Sequence, residues 1–515
     1  SGSGSSRAVV VKGTSLAYDR PHVSTYYPDG VLPAISERRA AAGNLAALPP
    51  PQPSIQTDAG GKIKAVNPSF TGFAIKFVNL SPKAVHFWWD GGSGDHVEGR
   101  LVAEVRPYES AGTATIPGNS FSVSPTYDRG TVLRRWTVTA DEAVVVYDPY
   151  GADNTDRSAE EKERALQREL TDEQRRRRDM QLLSLAYGRD YLIETGRPWL
   201  SMFPRPRPFH FMWSADHFGQ RHKVTTGQTH FSKMPPRKQL GGLTFEDNEH
   251  ASAALVRLPD YRESGTLDLE LEVVSCAPRA FRIDNFLSPA ETQHLLDIVQ
   301  SDDYGVQLEA STVHPGGLGE ETMSRNLGER DGGGANNVRG SQRDPSTRSS
   351  SNAWVHRESS PIVDAVYRRA ADLLRVDESY LRHRAPGKAG TQLRTHHSVA
   401  EAMQLVRYRE GEEYAAHHDF LYPASSNRYQ PARFATLLLY LNHEGLEGGE
   451  TRFPRAVSAQ FHDGVEVEPR AGSALLFYNV LPDGNVDDLS QHSGGPVLKG
   501  EKWIANLWVW DPLID

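Results

Sequence analysis

Apolar and polar residues alternate with a period of two in short runs toward both ends of this chain, while a helical period dominates the stretch between them. Near the N-terminus the runs are Phe73-Ala74-Ile75-Lys76-Phe77-Val78, Val85-His86-Phe87-Trp88-Trp89, Leu101-Val102-Ala103-Glu104-Val105, Trp136-Thr137-Val138-Thr139 and Ala143-Val144-Val145-Val146-Tyr147, with Gly, Pro and Asp between them. Short strands punctuated in this way predict a small β-sandwich over 66–150. Ser158-Ala159-Glu160-Glu161 has the Ser-x-x-Glu form of a capping box and predicts one long charged helix reaching Tyr187. Pro198, Pro204, Pro206 and Pro208 then break the chain among Trp199, Phe203, Phe209, Phe211, Trp213 and Phe218. Residues 151–275 therefore read as a helical and aromatic-rich connector that packs its neighbours together.

A further unit is predicted over 276–515. Phe281–Phe286 reads as a strand, Ser288-Pro289-Ala290-Glu291 as an N-cap with a first-turn proline, and Ser360–Leu374 as a second helix. Arg433–Asn442 is a long apolar strand. Between them, the polar, glycine-rich stretch 315–346 cannot build a core and is expected to be a lid or a disordered loop. Residues 1–65, rich in Ala, Gly and Pro, are expected to form a flexible or surface-wrapping arm. The fold class is thus multidomain α+β.

Composition narrows the function. At 515 residues the chain is long enough for several folded units, and no apolar run is long enough to span a bilayer. A net charge of -9 argues against a general nucleic-acid binder. The basic run Arg175-Arg176-Arg177-Arg178 follows many acidic residues and reads as a solvated helix face. Cys276 is the one cysteine, which excludes an internal disulfide and a cysteine-based zinc site and favours the cytoplasm. The opening Ser1-Gly2-Ser3-Gly4-Ser5-Ser6 lacks an initiator Met and reads as a linker or trimmed end, so a secretory or endoplasmic-reticulum location through an upstream signal stays open. Asn79-Leu80-Ser81 matches the glycosylation sequon.

The chemistry concentrates near the C-terminus. In an extended segment His417 and Asp419 project to one face while His418 points away, which makes a two-point chelate. A third ligand has to arrive from a distant strand, and His492 suits that place. Two imidazoles and one carboxylate form the triad that holds a non-haem Fe(II) with open coordination positions. Lys502, ten residues beyond His492, suggests an anionic cosubstrate. His-x-Asp alone is a weak signal in a chain with 19 histidines. The surroundings strengthen it: Gly448-Gly449-Glu450-Thr451-Arg452-Phe453-Pro454, Pro469–Phe477, and Gln491–Trp503 follow the long strand in order.

These segments, with Asn285-Phe286-Leu287-Ser288 and Arg348-Ser349-Ser350-Ser351, resemble the catalytic domain of prolyl 4-hydroxylases over about 276–512. The resemblance implies a double-stranded β-helix (jelly roll) with flanking helices, and an enzyme using Fe(II), O2 and 2-oxoglutarate, with ascorbate as reductant. It would hydroxylate proline in a peptide or protein at C4 and release succinate and CO2. Carried over, it makes His417, Asp419 and His492 the iron ligands and Lys502 the partner of the distal carboxylate of 2-oxoglutarate. Tyr408 and Thr436 would help hold that carboxylate, and Tyr414 and Trp508 would line the substrate groove. Arg433 and Glu450 fit family motifs, with packing or hydrogen bonding behind the site as equal readings. His396, His397, His418 and His462 read as exposed or packed histidines. Trp510 and Ser493-Gly494-Gly495 depart from the family pattern and put peptide preference in question. Two other functions stay open: the same oxygenase chemistry on free proline or another side chain, and a peptide-binding or oxygen-sensing scaffold with little turnover.

Asn79–Val85, Trp88 and Ile116–Phe121 resemble the β-domain of the von Hippel–Lindau tumour suppressor over about 70–150. That likeness implies a peptide-binding sandwich. Asn119 and Phe121 replace the histidine and tryptophan of that family's hydroxyproline pocket, and Trp88 or Trp89 reads either as groove lining or as core.

Overall fold

The computed structural model describes residues 73–91, 99–139, 143–151, 158–195, 197–201, 208–234, 261–301, 306–311, 349–382, 399–420, 433–456 and 464–511, with short strand segments at 9–10, 31–32, 55–57 and 63–66. Those short segments pair as Val9–Val10 with Val31–Leu32 and Ile55–Thr57 with Ile63–Val66. The expectations for the rest of the 1–65 arm, the 315–346 stretch, His396, His397 and His462 lie outside the described residues.

The alternating runs after Phe73 form two sheets. One, of four strands, runs in the order Arg134–Thr137, Ser120–Ser124, Val85–Gly91, Arg100–Val105; the other, of three, runs Val144–Tyr147, Phe73–Asn79, Ser110–Thr115. Period-two patterning turns Ile75, Phe77, Val85, Phe87, Phe121, Val123, Trp136 and Val145 into one shared core. Phe77 and Phe87 stack across it, with ring centroids 4.5 Å apart. Asn79, the sequon asparagine, is wholly buried: its amide donates to the carbonyls of Lys83, Val105 and Arg106. A glycan cannot reach it in this fold.

The single helix expected from Ser158 is two, Ala159–Glu169 and Asp172–Thr195. Leu170 turns extended, and Thr171 and Gln174 then exchange side chain to backbone hydrogen bonds of 2.9 and 3.2 Å, a second capping box that restarts the helix. The basic run is not wholly solvated either. Arg178 is buried, paired in bidentate fashion with Asp148 at 2.8 and 2.7 Å, and donates to the Leu80 carbonyl. It docks the second helix on the sandwich.

The larger unit is built on a nine-stranded sheet in the order Arg221–Thr226, Leu267–Ser275, Ala280–Ile283, Ala474–Tyr478, Arg433–Tyr440, Lys502–Trp510, Met403–Tyr408, Ser351–Val355, Glu309–Ala310. Its outer face carries Leu405, Leu437, Leu439, Ala505 and Leu507, packed on the helices Pro289–Gln300 and Pro361–Leu374. The inner face carries Val406, Tyr408, Leu438, Tyr440 and Ile504, which pack with Phe453 and Val467 of a second, four-stranded sheet. That sheet runs Tyr414–His417, His492–Gly494, Thr451–Phe453, Val465–Val467. The two sheets face each other with helices packed outside, and the candidate site lies between them. None of the described helices is long and apolar enough to cross a membrane.

The outer helices are locked by a buried ion pair. Glu291, the N3 residue of the Ser288 capping box, meets Arg369 at 2.8 and 2.9 Å, and both side chains are wholly buried. Arg369 also donates to the carbonyls of Phe286, Gln228 and Thr229, so its donors are satisfied. Arg369→Met strands the Glu291 carboxylate without its partner. It should cost about 3–5 kcal/mol of stability, read as a lowered denaturant midpoint; a midpoint equal to wild type would refute the pair's role.

Candidate metal and cosubstrate site

Register brings the expected ligands together. His417 sits opposite His492 on adjacent antiparallel strands, and Asp419 follows two residues on. Ligand atoms of His417, Asp419 and His492 lie within 4.8 Å of one another. Each histidine Nε2 is 3.6 Å from the Asp419 carboxylate. The opposite ring nitrogens are committed: His417 Nδ1 donates to the Ala415 carbonyl at 2.9 Å and His492 Nδ1 to the Ser490 carbonyl at 3.0 Å. With Nδ1 protonated, each Nε2 presents a lone pair to the centre, the tautomer a metal requires.

Electrostatics favour a neutral ring at His492 and an ionised carboxyl at Asp419. Burial pushes the His492 imidazole down to about 4, so it is neutral at physiological pH. Burial alone would raise the Asp419 carboxyl, but the neighbouring His492 and His417 rings and Arg433 hold it well below the usual carboxylate range. One anion and two neutral nitrogens suit a divalent cation.

Behind the carboxylate stands a bracing set that the sequence does not reveal. Asp419 Oδ2 accepts from Thr436 Oγ1 at 2.7 Å and from Trp508 Nε1 at 2.9 Å, and Thr436 in turn accepts from Asn479 Nδ2 at 3.0 Å. The Thr436 hydroxyl, expected to help hold the cosubstrate carboxylate, here donates to Asp419. Trp508, expected in the groove, is buried with its indole on the same carboxylate. The pairing of Thr436 with Trp508 across adjacent strands puts both there. Arg433 lies over the Trp508 ring at 3.9 Å and pairs with the buried Glu401 at 2.5 and 2.9 Å. Trp510 donates to that same Glu401 at 2.8 Å, so the departing residue at this position serves the core. Tyr414 stacks on His417 with centroids 3.6 Å apart and stays half-buried beside the metal site.

Lys502 pairs in register with Tyr408, and its ammonium lies 5.3 Å from the Tyr408 ring centre. It is 1% exposed, and among the described residues no carboxylate approaches it within salt-bridge distance. Burial lowers it to about 8, with Glu450 raising and Arg452 lowering it further. Glu450 is engaged by Arg452 at 3.1 Å. Gly494 keeps the space in front of the lysine open: a Cβ there would stand 3.8 Å from Lys502 Nζ and Tyr414 Cβ and 3.9 Å from Tyr408 Cζ. A buried ammonium facing such a space fits an anionic ligand. His418 turns away, its Nε2 donating to the Asp488 carbonyl at 3.0 Å.

The family model of the 2OG-Fe(II) oxygenase superfamily matches residues 403–510, the segment that carries all three candidate ligands and Lys502. Probable prolyl 4-hydroxylase 8 of Arabidopsis thaliana is 30% identical over 258 residues, covering 48% of this chain and 73% of the relative. Probable prolyl 4-hydroxylase 9 of the same plant is 28% identical over 289 residues, covering 54% of this chain and 84% of its own. Among solved structures, the viral collagen prolyl hydroxylase of Paramecium Bursaria Chlorella virus-1 aligns with 45% of this chain and 95% of its own, at 21% identity and a TM-score of 0.28. With similarity to the plant relatives running well beyond the matched domain and the triad gathered at its centre, this chain belongs to the prolyl 4-hydroxylase family, as a 2-oxoglutarate- and Fe(II)-dependent dioxygenase.

Proposed function

We propose that this protein hydroxylates proline at C4 within a peptide or protein, with Fe(II) on His417, Asp419 and His492 and 2-oxoglutarate held by Lys502 and Tyr408. The observation that carries the reading is a cluster of two histidines and one carboxylate, with Asp419 and His492 buried, on a strand whose Gly494 borders the buried ammonium of Lys502. Gly494, which borders Lys502, lies two residues from His492 on one strand, about 7 Å along it. A five-carbon keto-diacid spans that gap, with one end at the metal and the other at the lysine. Bound ferrous iron would supply the dioxygen chemistry that couples loss of CO2 from 2-oxoglutarate to hydroxylation of carbon. The chain's own groups do the rest: Thr436 and Trp508 fix the Asp419 carboxylate, the Ala415 and Ser490 carbonyls fix the two rings, and Lys502 orients the cosubstrate. Tyr414, stacked on His417 at the half-exposed edge of the centre, is placed to contact an extended proline segment.

Amino-acid analysis after incubating the full chain with Fe(II), 2-oxoglutarate, ascorbate and proline-rich peptides tests this. The expected product is 4-hydroxyproline with equivalent succinate. Hydroxylation of free proline alone would shift the substrate, and absence of turnover with every substrate would favour a scaffold.

The Lys502 ammonium sets a pH dependence. A bound carboxylate raises its pKa, so affinity for 2-oxoglutarate is complete below the free value of about 8 and falls as pH rises through it. The slope approaches about tenfold per pH unit on the alkaline side. A 2-oxoglutarate KM flat from neutral to alkaline pH would contradict this placement.

The N-terminal sandwich is read as a peptide-binding module beside the enzyme. On its four-stranded sheet the 68% exposed Tyr127 and the partly buried His86 pack against Trp88, which is itself buried, with the Arg129 guanidinium 5.0 Å from the Trp88 ring centre. Phe121 is in the core and stacks on Phe87, so it lines no surface pocket. Aromatic faces of this kind suit an extended proline-rich segment. Calorimetric titration of metal-free full-length protein with proline-rich and hydroxylated peptides should show binding that Tyr127→Ala weakens; heat equal to dilution for both peptides ends the reading.

A further inference from the structure

The N-terminal sheet touches the oxygenase unit through one edge. The strand Phe73–Asn79 gains its neighbour Val144–Tyr147 only from Lys76 onward, whose amide donates to the Ala143 carbonyl at 2.8 Å. The Ala74 amide, on the same edge but beyond that neighbour's end, donates instead to Asp488 Oδ1 at 2.9 Å. Lys76 Nζ donates to the Ser201 carbonyl, and the Leu200 amide to Asn485 Oδ1 at 2.9 Å. The strand is therefore seated on the segment leading to His492.

Asp488 also contacts a neighbour of the metal ligands. Its Oδ1 lies 3.1 Å from His418 Nε2, and Arg455 Nη1 donates to its Oδ2 at 2.6 Å. His418 stands between the ligands His417 and Asp419 in the chain. Asp488 also opens the single 3-10 turn Asp488–Ser490, which Asp487 caps by accepting from the Leu489 amide at 3.1 Å. The turn ends in the Ser490 carbonyl that orients His492 Nδ1. One carboxylate thus reaches a strand of the N-terminal sheet, the residue between two ligands, and the turn presenting the third.

We propose that Asp488 is a positioning residue of the metal centre, coupling the seating of the N-terminal sheet to the geometry of the three ligands. The inference rests on His417, Asp419 and His492 being those ligands. Losing the Asp488 carboxylate removes its contacts with the Ala74 amide, the Arg455 guanidinium and the His418 ring, leaving that ring held only by the Asp488 backbone carbonyl, without removing any ligand atom. Groups that orient metal ligands in this way typically cost about 10–100-fold in metal affinity when lost.

The test uses the full chain and Co(II), whose visible absorption reports ligand geometry. In Asp488→Ala, Co(II) affinity is expected to fall about 10-fold or more, with a shifted band at saturation, while the metal-free protein keeps its circular dichroism. Lys76→Met, which loosens the seated strand, should weaken Co(II) in the same direction. His417→Ala should lose the band altogether. Wild-type affinity and an unshifted band in Asp488→Ala, beside a lost band in His417→Ala, would overturn the coupling and leave the metal site standing. A band retained in His417→Ala would overturn the site and the coupling together. If Asp488→Ala fails to fold, Asp488→Asn, which keeps an acceptor for Ala74 but loses the anion facing Arg455, carries the same reading: a shifted band supports the coupling and an unshifted one overturns it.

Discussion

Asp419→Asn should abolish Fe(II)-dependent turnover, lowering it by about three orders of magnitude or more, equivalent to ~4 kcal/mol of transition-state stabilisation. The carboxylate is the one anionic ligand of the triad, so its amide leaves a divalent cation facing only neutral donors. The substitution separates metal from fold. An asparagine oxygen still accepts from Thr436 and Trp508, so the brace built on Oδ2 survives and the variant should stay folded, less stable only by the loss of the anion the folded protein favours. Iron analysis after anaerobic loading, beside a thermal melt, reads both effects. Retained iron with retained turnover would remove Asp419 from the site.

Lys502→Met should change stability and cosubstrate binding in opposite directions. The ammonium is buried with no carboxylate at salt-bridge distance among the described residues, so an apolar side chain of similar length should leave the metal-free protein as stable or more so. The KM for 2-oxoglutarate should rise roughly 10- to 100-fold, the worth of a charge-assisted hydrogen bond of about 1.5–3 kcal/mol. The pH dependence of that KM near 8 should vanish with the lysine. A destabilised protein with unchanged KM would make Lys502 a structural cation instead.

Features set by local spacing are legible in the sequence. His417 and Asp419 share a face because strand periodicity is two, and Ser288 caps its helix because its hydroxyl meets the amide three residues on. Features set by strand partners are not. That Thr436 and Trp508 both serve Asp419 depends on two strands 72 positions apart lying in register, and nothing near either residue encodes it. Burial of Arg178 depends likewise on Asp148 across a domain contact. The helix break was encoded, in Thr171-Asp172-Glu173-Gln174, whose capping pattern a continuous run of charged helix formers obscured.

The most direct check is anaerobic titration of the full chain with Fe(II) and then 2-oxoglutarate, following the visible charge-transfer absorption that arises when the keto-acid joins ferrous iron. A single saturable site is predicted in the wild type, no band in Asp419→Asn, and in Lys502→Met a band that needs far more 2-oxoglutarate. Equal bands in all three proteins, or none in the wild type, would contradict the assignment of these residues to iron and cosubstrate.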